Sequence, residues 1–375
     1  MGCILSEENS IVPMRRKKLF LVSLNYITKK IVATMPQNTE SSKESPFKHP
    51  FYFLINWRAF PFYELISYFM MFACVPLLFY GFQLYTWEII KVIILAIATQ
   101  YCGFFAALIW NDITDVDIDR IVHPSRPIPR GAITSGRFFM IALLFSALTF
   151  LFAFLISPWC FFIVGLAALF VAFHNRYLKK RIKFPAYSEI FTPMQWLVVP
   201  LIGAIVLWSA LPLNGDVTFM VPLLGILSIH RSQVIPLLLL IAFTYFADDA
   251  HDLVEGIHDS EGDRRFGVRT YATSFGVGIT ARVAFIMVVI AGILGILLYT
   301  QTILSMLFII PFVLLWLFTI SRFYLLVHSQ GEQQRQLGKK IGRVGFNFLI
   351  FSYVLIFIDV TLQILLLHFF GWVFP

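Results

Sequence analysis

From about residue 60 to the end of the chain, long apolar runs alternate with short polar connections. Each run is close to the ~20 residues that a helix needs to cross a bilayer. The pattern predicts nine spans, at about 60–82, 87–110, 138–157, 159–174, 188–208, 232–250, 279–299, 302–324 and 344–370. Prolines inside the runs, such as Pro76, Pro193, Pro200 and Pro311, are tolerable kinks in a membrane bundle. Residues 1–49 are polar and read as a flexible tail, so the chain divides into that tail and a helical domain over 50–375.

Basic residues give the predicted spans an orientation. Lys and Arg cluster before the first span, between spans two and three (Arg120, Arg126, Arg130, Arg137) and between four and five (Arg176, Lys179, Lys180, Arg181, Lys183). They recur between six and seven (Arg264, Arg265, Arg269) and between eight and nine (Arg335, Lys339, Lys340, Arg343). The other set of connections holds Arg231 alone. Positive charge marks the cytoplasmic side, which places the N-terminus inside and the C-terminus opposite.

Composition agrees with the pattern. The chain is 59% hydrophobic and 13% charged, with 41 phenylalanines, which excludes a water-soluble globule. The net charge of +8 is a topology signal and implies no nucleic-acid partner. The four cysteines show no metal spacing and no disulfide framework. The opening Met1-Gly-Cys3-Ile-Leu-Ser6 fits an N-myristoylation pattern, although in so apolar a chain coincidence is the simpler reading.

Two acidic stretches change the picture from a bundle to a reactive site. Asp112, Asp115, Asp117 and Asp119 directly follow the second apolar run, where ionisable residues are functional by default. At ~100° per residue, Asn111, Asp112, Asp115 and Asp119 share a helical face and Asp117 points elsewhere. After the sixth run, a helix would bring Asp248, Asp252, Asp259 and Asp263 within about 60° of one another. Rows of carboxylates repel unless a cation sits among them, and all-oxygen ligation suits Mg²⁺. Arginines follow both rows, so the pair describes a site for an anion such as diphosphate held through metal ions. His123, His251 and His258 lie near the rows without ligand spacing and read as hydrogen-bonding residues.

Asn111-Asp-x-x-Asp115-x-x-x-Asp119, followed by Arg126-Pro-Ile-Pro-x-Gly131 and later by Asp259-x-Glu-Gly-Asp263, resembles the UbiA superfamily of intramembrane prenyltransferases. The resemblance implies a nine-helix all-α bundle with a central cavity. It also implies transfer of a prenyl group from an isoprenyl diphosphate to an acceptor, aromatic or otherwise lipophilic. Asn111, Asp115 and Asp119 would hold one Mg²⁺, and Asp259 and Asp263 a second, with Mn²⁺ able to substitute. Asp112 would join or orient the first group. Arg126 resembles the family's diphosphate-binding arginine, and Lys180 and Arg181 its basic pair after the fourth span. Arg58 resembles an arginine near the acceptor pocket, and His251-Asp252 stand where the family has Arg-Glu. One position departs from the pattern: the family commonly has an aspartate three residues before Asp259, and this chain has Gly256. The expectation is that Gly256 removes one charge and leaves room beside the diphosphate. A UbiA-type terpene cyclase is the alternative from the same ionisation, and a cation transporter using the carboxylates is a third reading.

Overall fold

The structure, a computed structural model, describes residues 62–122, 124–178, 181–211 and 215–371. The predicted tail boundary near residue 49, the Gly2–Cys3 pattern, Arg58, His123, Lys179 and Lys180 lie outside the described residues. The helices are α1 (Phe62–Tyr80), α2 (Trp87–Thr114), α3 (Val116–Val122), α4 (Ser135–Ile156), α5 (Pro158–Phe173), α6 (Tyr187–Phe191), α7 (Val198–Ala210) and α8 (Arg231–Phe266). They continue with α9 (Tyr271–Phe275), α10 (Val277–Thr300), α11 (Met306–His328) and α12 (Gly331–Phe370).

Eight helical segments among the described residues are long and apolar enough to cross a membrane. The chain is an integral, multi-pass membrane protein. The expected fourth span is α5, whose 16 residues fall short of that length. Ser157 ends α4 and its hydroxyl caps α5 at Cys160 N, so the two helices form a hairpin with a single residue between them. The expected fifth span is not one helix. It breaks into α6, a 3₁₀ turn at Thr192–Gln195 and α7, because Pro193 cannot continue the helical hydrogen bonding. The preceding connection opens, directly after α5, with a π-helical turn at His174–Leu178.

Two helices run well past their apolar spans. α8 has 36 residues and α12 has 40, so both carry polar ends beyond the expected limits. They pack along each other, and Gly338, Gly342 and Gly345 of α12 make that approach possible. A Cβ at Gly338 would lie 3.1 Å from Val254 O, and one at Gly345 would lie 3.3 Å from His251 Cα. Small residues at such spacing let membrane helices come into contact. His251 Nδ1 meets Gly342 O at 3.0 Å and His258 Nδ1 meets Arg335 O at 3.4 Å, so both histidines are hydrogen-bonding residues of this seam.

A two-stranded hairpin precedes α8, pairing β1 (Val217–Val221) with β2 (Gly225–Ile229) in the antiparallel register Phe219 to Leu227. The apolar core joins α1, α2, α7, α8, α11 and α12 around Tyr68, Phe243, Phe312, Phe348 and Tyr353. First and last spans are tied by charge: Arg343 Nη2 is 2.5 Å from Glu64 Oε2, and Glu64 Oε1 also accepts from the Tyr68 hydroxyl at 2.7 Å.

Candidate active site

The first acidic row lies where α2 ends. Asp115 leaves the helical conformation (φ −103°, ψ 15°), yet its N–H still donates to Asn111 O at 2.9 Å. Asp119 N–H then donates to Asp115 O at 2.8 Å. The i to i+4 rhythm therefore survives the break between α2 and α3, and the row keeps its face. Asp112 and Asp119 are almost completely buried, whereas the Asp117 side chain is 89% exposed and pairs with exposed Arg120.

Arg126 folds back over this row from a proline-bounded turn. Its Nη1 lies 2.7 Å from Asp119 Oδ2, 2.8 Å from Asp119 Oδ1 and 3.3 Å from Asp112 Oδ1. One nitrogen thus bridges both buried carboxylates. A guanidinium carries five N–H donors in a planar fork, so most of it stays available to an anion. Arg181 is exposed, with its guanidinium 5.6 Å from the Tyr177 ring centroid. Arg265 pairs with Glu261 at 3.2 Å on the surface, and Arg335 reaches Glu261 at 3.6 Å.

The second row lies on one uninterrupted helix, α8, which meets the condition that placed Asp248, Asp252, Asp259 and Asp263 on one face. Asp248 and Asp249 are each 1% exposed. Both oxygens of Asp248 and Oδ1 of Asp249 are buried without a hydrogen-bond partner among the described residues. Asp259 and Asp263 are half-buried, about three and four turns further on. A buried carboxylate with no donor must hold a proton or face a cation. No three His, Cys, Asp or Glu side chains among the described residues converge into a ready cage. Mg²⁺ ordinarily binds through one or two carboxylates and completes its shell with substrate phosphates and water.

The broken fifth span bridges the two rows. Met194, Gln195 and Trp196 line the same cavity as Asn111, while Glu189, a few residues earlier, touches α8. Hydrogen bonds to neighbouring elements hold the short helix α6 there. Ser188 N–H donates to Arg269 O, Ala186 N–H to the Ser274 hydroxyl at 3.1 Å, and the Tyr245 hydroxyl to Ile190 O at 3.0 Å. Ala186 enters α6 with φ +58°, a left-handed conformation that costs a non-glycine residue about 1 kcal/mol or more. Burial raises the Tyr271 phenol above its usual value, and nearby Asp249 and Glu189 push the same way.

Gly256 corrects the expectation of free space. A Cβ at Gly256 would stand 2.2 Å from Glu189 Oε1. The position is already filled by a carboxylate from another helix. Sequence reasoning passed over Glu189, although a lone acid inside an apolar run is the kind of signal that marks function.

From Asn111 a cavity of about 560 Å³ runs back along α2 to Thr99, walled by α4, α5 and residues 194–202. Twelve residues of helix correspond to about 18 Å. Its walls are chiefly apolar, with Phe104 and Trp196 6.0 Å apart between ring centroids.

The UbiA prenyltransferase family profile matches residues 67–341. Digeranylgeranylglyceryl phosphate synthase of Pyrococcus horikoshii is 29% identical over 187 residues, covering 50% of this chain and 58% of that protein. The protein of the same name from Methanosphaera stadtmanae is 24% identical over 245 residues, covering 65% of this chain and 80% of its own. For the first curated relatives, the chain spans between 56% and 65% of their length. Among solved structures, a UbiA homolog from Aeropyrum pernix K1 superposes with a TM-score of 0.56 at 18% identity, covering 80% of this chain and 98% of that one. A structure of digeranylgeranylglyceryl phosphate synthase gives 0.52 at 19% identity, covering 80% and 99%. These structural likenesses concern the fold.

Proposed function

This chain belongs to the UbiA prenyltransferase family, and from that premise we propose that it transfers a prenyl group from an isoprenyl diphosphate to a lipophilic acceptor within the membrane. The observation that carries the reading is the apolar cavity that reaches Asn111, beside a buried acidic row bridged by an arginine. A substrate with a long apolar tail and a polyanionic head matches both halves of that arrangement.

In the proposed reaction the allylic C–O bond breaks and its electron pair leaves with the diphosphate. The allylic carbon then bonds to the acceptor, which loses a proton. Such ionisation is favoured by positive charge fixed around the leaving group and by apolar surroundings for the cation. Mg²⁺, when bound, would neutralise the departing diphosphate oxygens. Asn111, Asp115 and Asp119 would hold it on the α2 side and Asp259 and Asp263 on the α8 side, with Asp112 and Asp252 orienting those groups. Arg126, anchored by Asp112 and Asp119, would direct the rest of its fork at the diphosphate. Arg181, with Lys180 next to it in sequence, would add positive charge for the diphosphate. Phe104 and Trp196 face the cavity, where aromatic faces attract a passing cation.

For the acceptor, the names of the relatives favour a prenylated glyceryl phosphate over an aromatic ring. The test is to incubate the purified chain with geranylgeranyl diphosphate and either acceptor class. The reading expects diphosphate release coupled to a prenyl ether or a prenylated ring. Release with a cyclised hydrocarbon and no acceptor product would favour the cyclase, and no release would overturn the reading.

A further inference from the structure

The acidic face of α8 has a gap at Gly256. Taking Asp248 as zero and ~100° per residue, Gly256 falls near 80°, between Asp263 near 60° and Asp249 near 100°. Glu189 stands against that gap. It is 5% exposed, and its Oε2 accepts from the backbone N–H of Tyr271 at the start of α9. Its other oxygen, Oε1, points at the missing Cβ and has no hydrogen-bond partner among the described residues. Asp252, Asp249 and Asp263 are the charged groups whose fields reach it. A carboxylate so buried, with one oxygen left bare, must hold a proton or face a cation.

We propose that Glu189, carried on the broken fifth span, supplies the carboxylate that α8 lacks at position 256 and binds the divalent cation on that side of the site. The proposal rests on the reading of the site as a metal–diphosphate centre. Its geometry comes from the fold: Pro193 breaks the fifth span, Ala186 turns the chain into α6, and the bonds to Ser274 and Arg269 set the helix against α8. Glycine at 256 leaves room for that carboxylate, and a side chain there would make Glu189 shift. The carboxylate at this place thus comes from a neighbouring helix instead of from α8.

The test uses the full-length protein in detergent with inorganic diphosphate and reads Mn²⁺ binding by electron paramagnetic resonance. Melting temperature without metal is measured alongside. Wild type should bind Mn²⁺, and Asp263→Asn should weaken it. Glu189→Gln keeps the shape and the acceptor for Tyr271, and should weaken Mn²⁺ binding by about tenfold or more while the metal-free protein melts no lower than wild type. Glu189→Ala should bind as weakly. Gly256→Asp combined with Glu189→Ala should recover most of the affinity, since the new aspartate falls in the vacated place. Wild-type affinity in Glu189→Gln would overturn the proposal, as would a double variant no better than Glu189→Ala. A metal-free melting temperature lowered by Glu189→Gln, with binding intact, would reduce Glu189 to a helix cap and also overturn it. Absence of Mn²⁺ binding in wild type would overturn the underlying reading of the site and the proposal together.

Discussion

Buried carboxylates in this protein differ in what their oxygens touch. Asp359 of α12 is fully buried, but it accepts from Ser305 N at 2.6 Å and from the Ser305 hydroxyl at 2.5 Å, with Gln363 at 3.1 Å. It caps the start of α11, and its bonds are complete. Asp248 is equally buried with neither oxygen bonded among the described residues, and it lies on the acidic row. Spacing alone separates some of these residues: the helical period placed Asp117 off the shared face, and that side chain is exposed. It could not separate Asp359 from Asp248, because partners distant in sequence decide the matter. Two substitutions test the distinction. Asp119→Asn removes the anchor of Arg126 and should lower prenyl transfer by about 10²-fold. Asp117→Asn should leave transfer within about twofold, as expected for a solvated position. Initial rates on purified protein check both, and equal losses would contradict the assignment.

At the scale of helices, apolar run lengths located the spans because a bilayer fixes how long they must be. They were less informative where helices extend into polar sequence or break inside an apolar run. α8 and α12 continue through charged residues because each shields the other, with glycines of α12 against the backbone of α8. A Gly338→Val substitution drives a branched side chain toward Val254 O and His258 N. Overpacking of this kind costs about 1–3 kcal/mol, so the melting temperature in detergent should fall. Gly278→Val is the control, since a Cβ at Gly278 meets nothing within 4 Å. The fifth span shows the opposite failure of run length: the stretch 188–208 reads as one helix, while Pro193 and the bonds of α6 to α8 and α9 divide it. That division brings Glu189 to the acidic row.

For the whole molecule, the alternation of spans should carry the ends of α2 and α8 to one face of the membrane. The charge pattern names that face as cytoplasmic. Residues 189–196 support the convergence, since they meet Gly256 of α8 at one end and the cavity of Asn111 at the other. Cysteine labelling tests the orientation: Ser125→Cys should react from the cytoplasmic side, and Leu223→Cys, 97% exposed at the tip of the hairpin, from the opposite one. Reaction of both from one side would reverse the alternation. The central claim is that carboxylates from two helix ends act together through a divalent cation on one diphosphate. Its most direct measurement is diphosphate release from geranylgeranyl diphosphate by the purified protein, with chelator and then with Mg²⁺ restored, in wild type, Asp115→Asn and Asp263→Asn. The account predicts no release in chelator, full recovery with Mg²⁺, and near-complete loss in each variant although one lies beside α2 and the other on α8. Turnover that persists in chelator, or a variant of either row that keeps wild-type release, would contradict it.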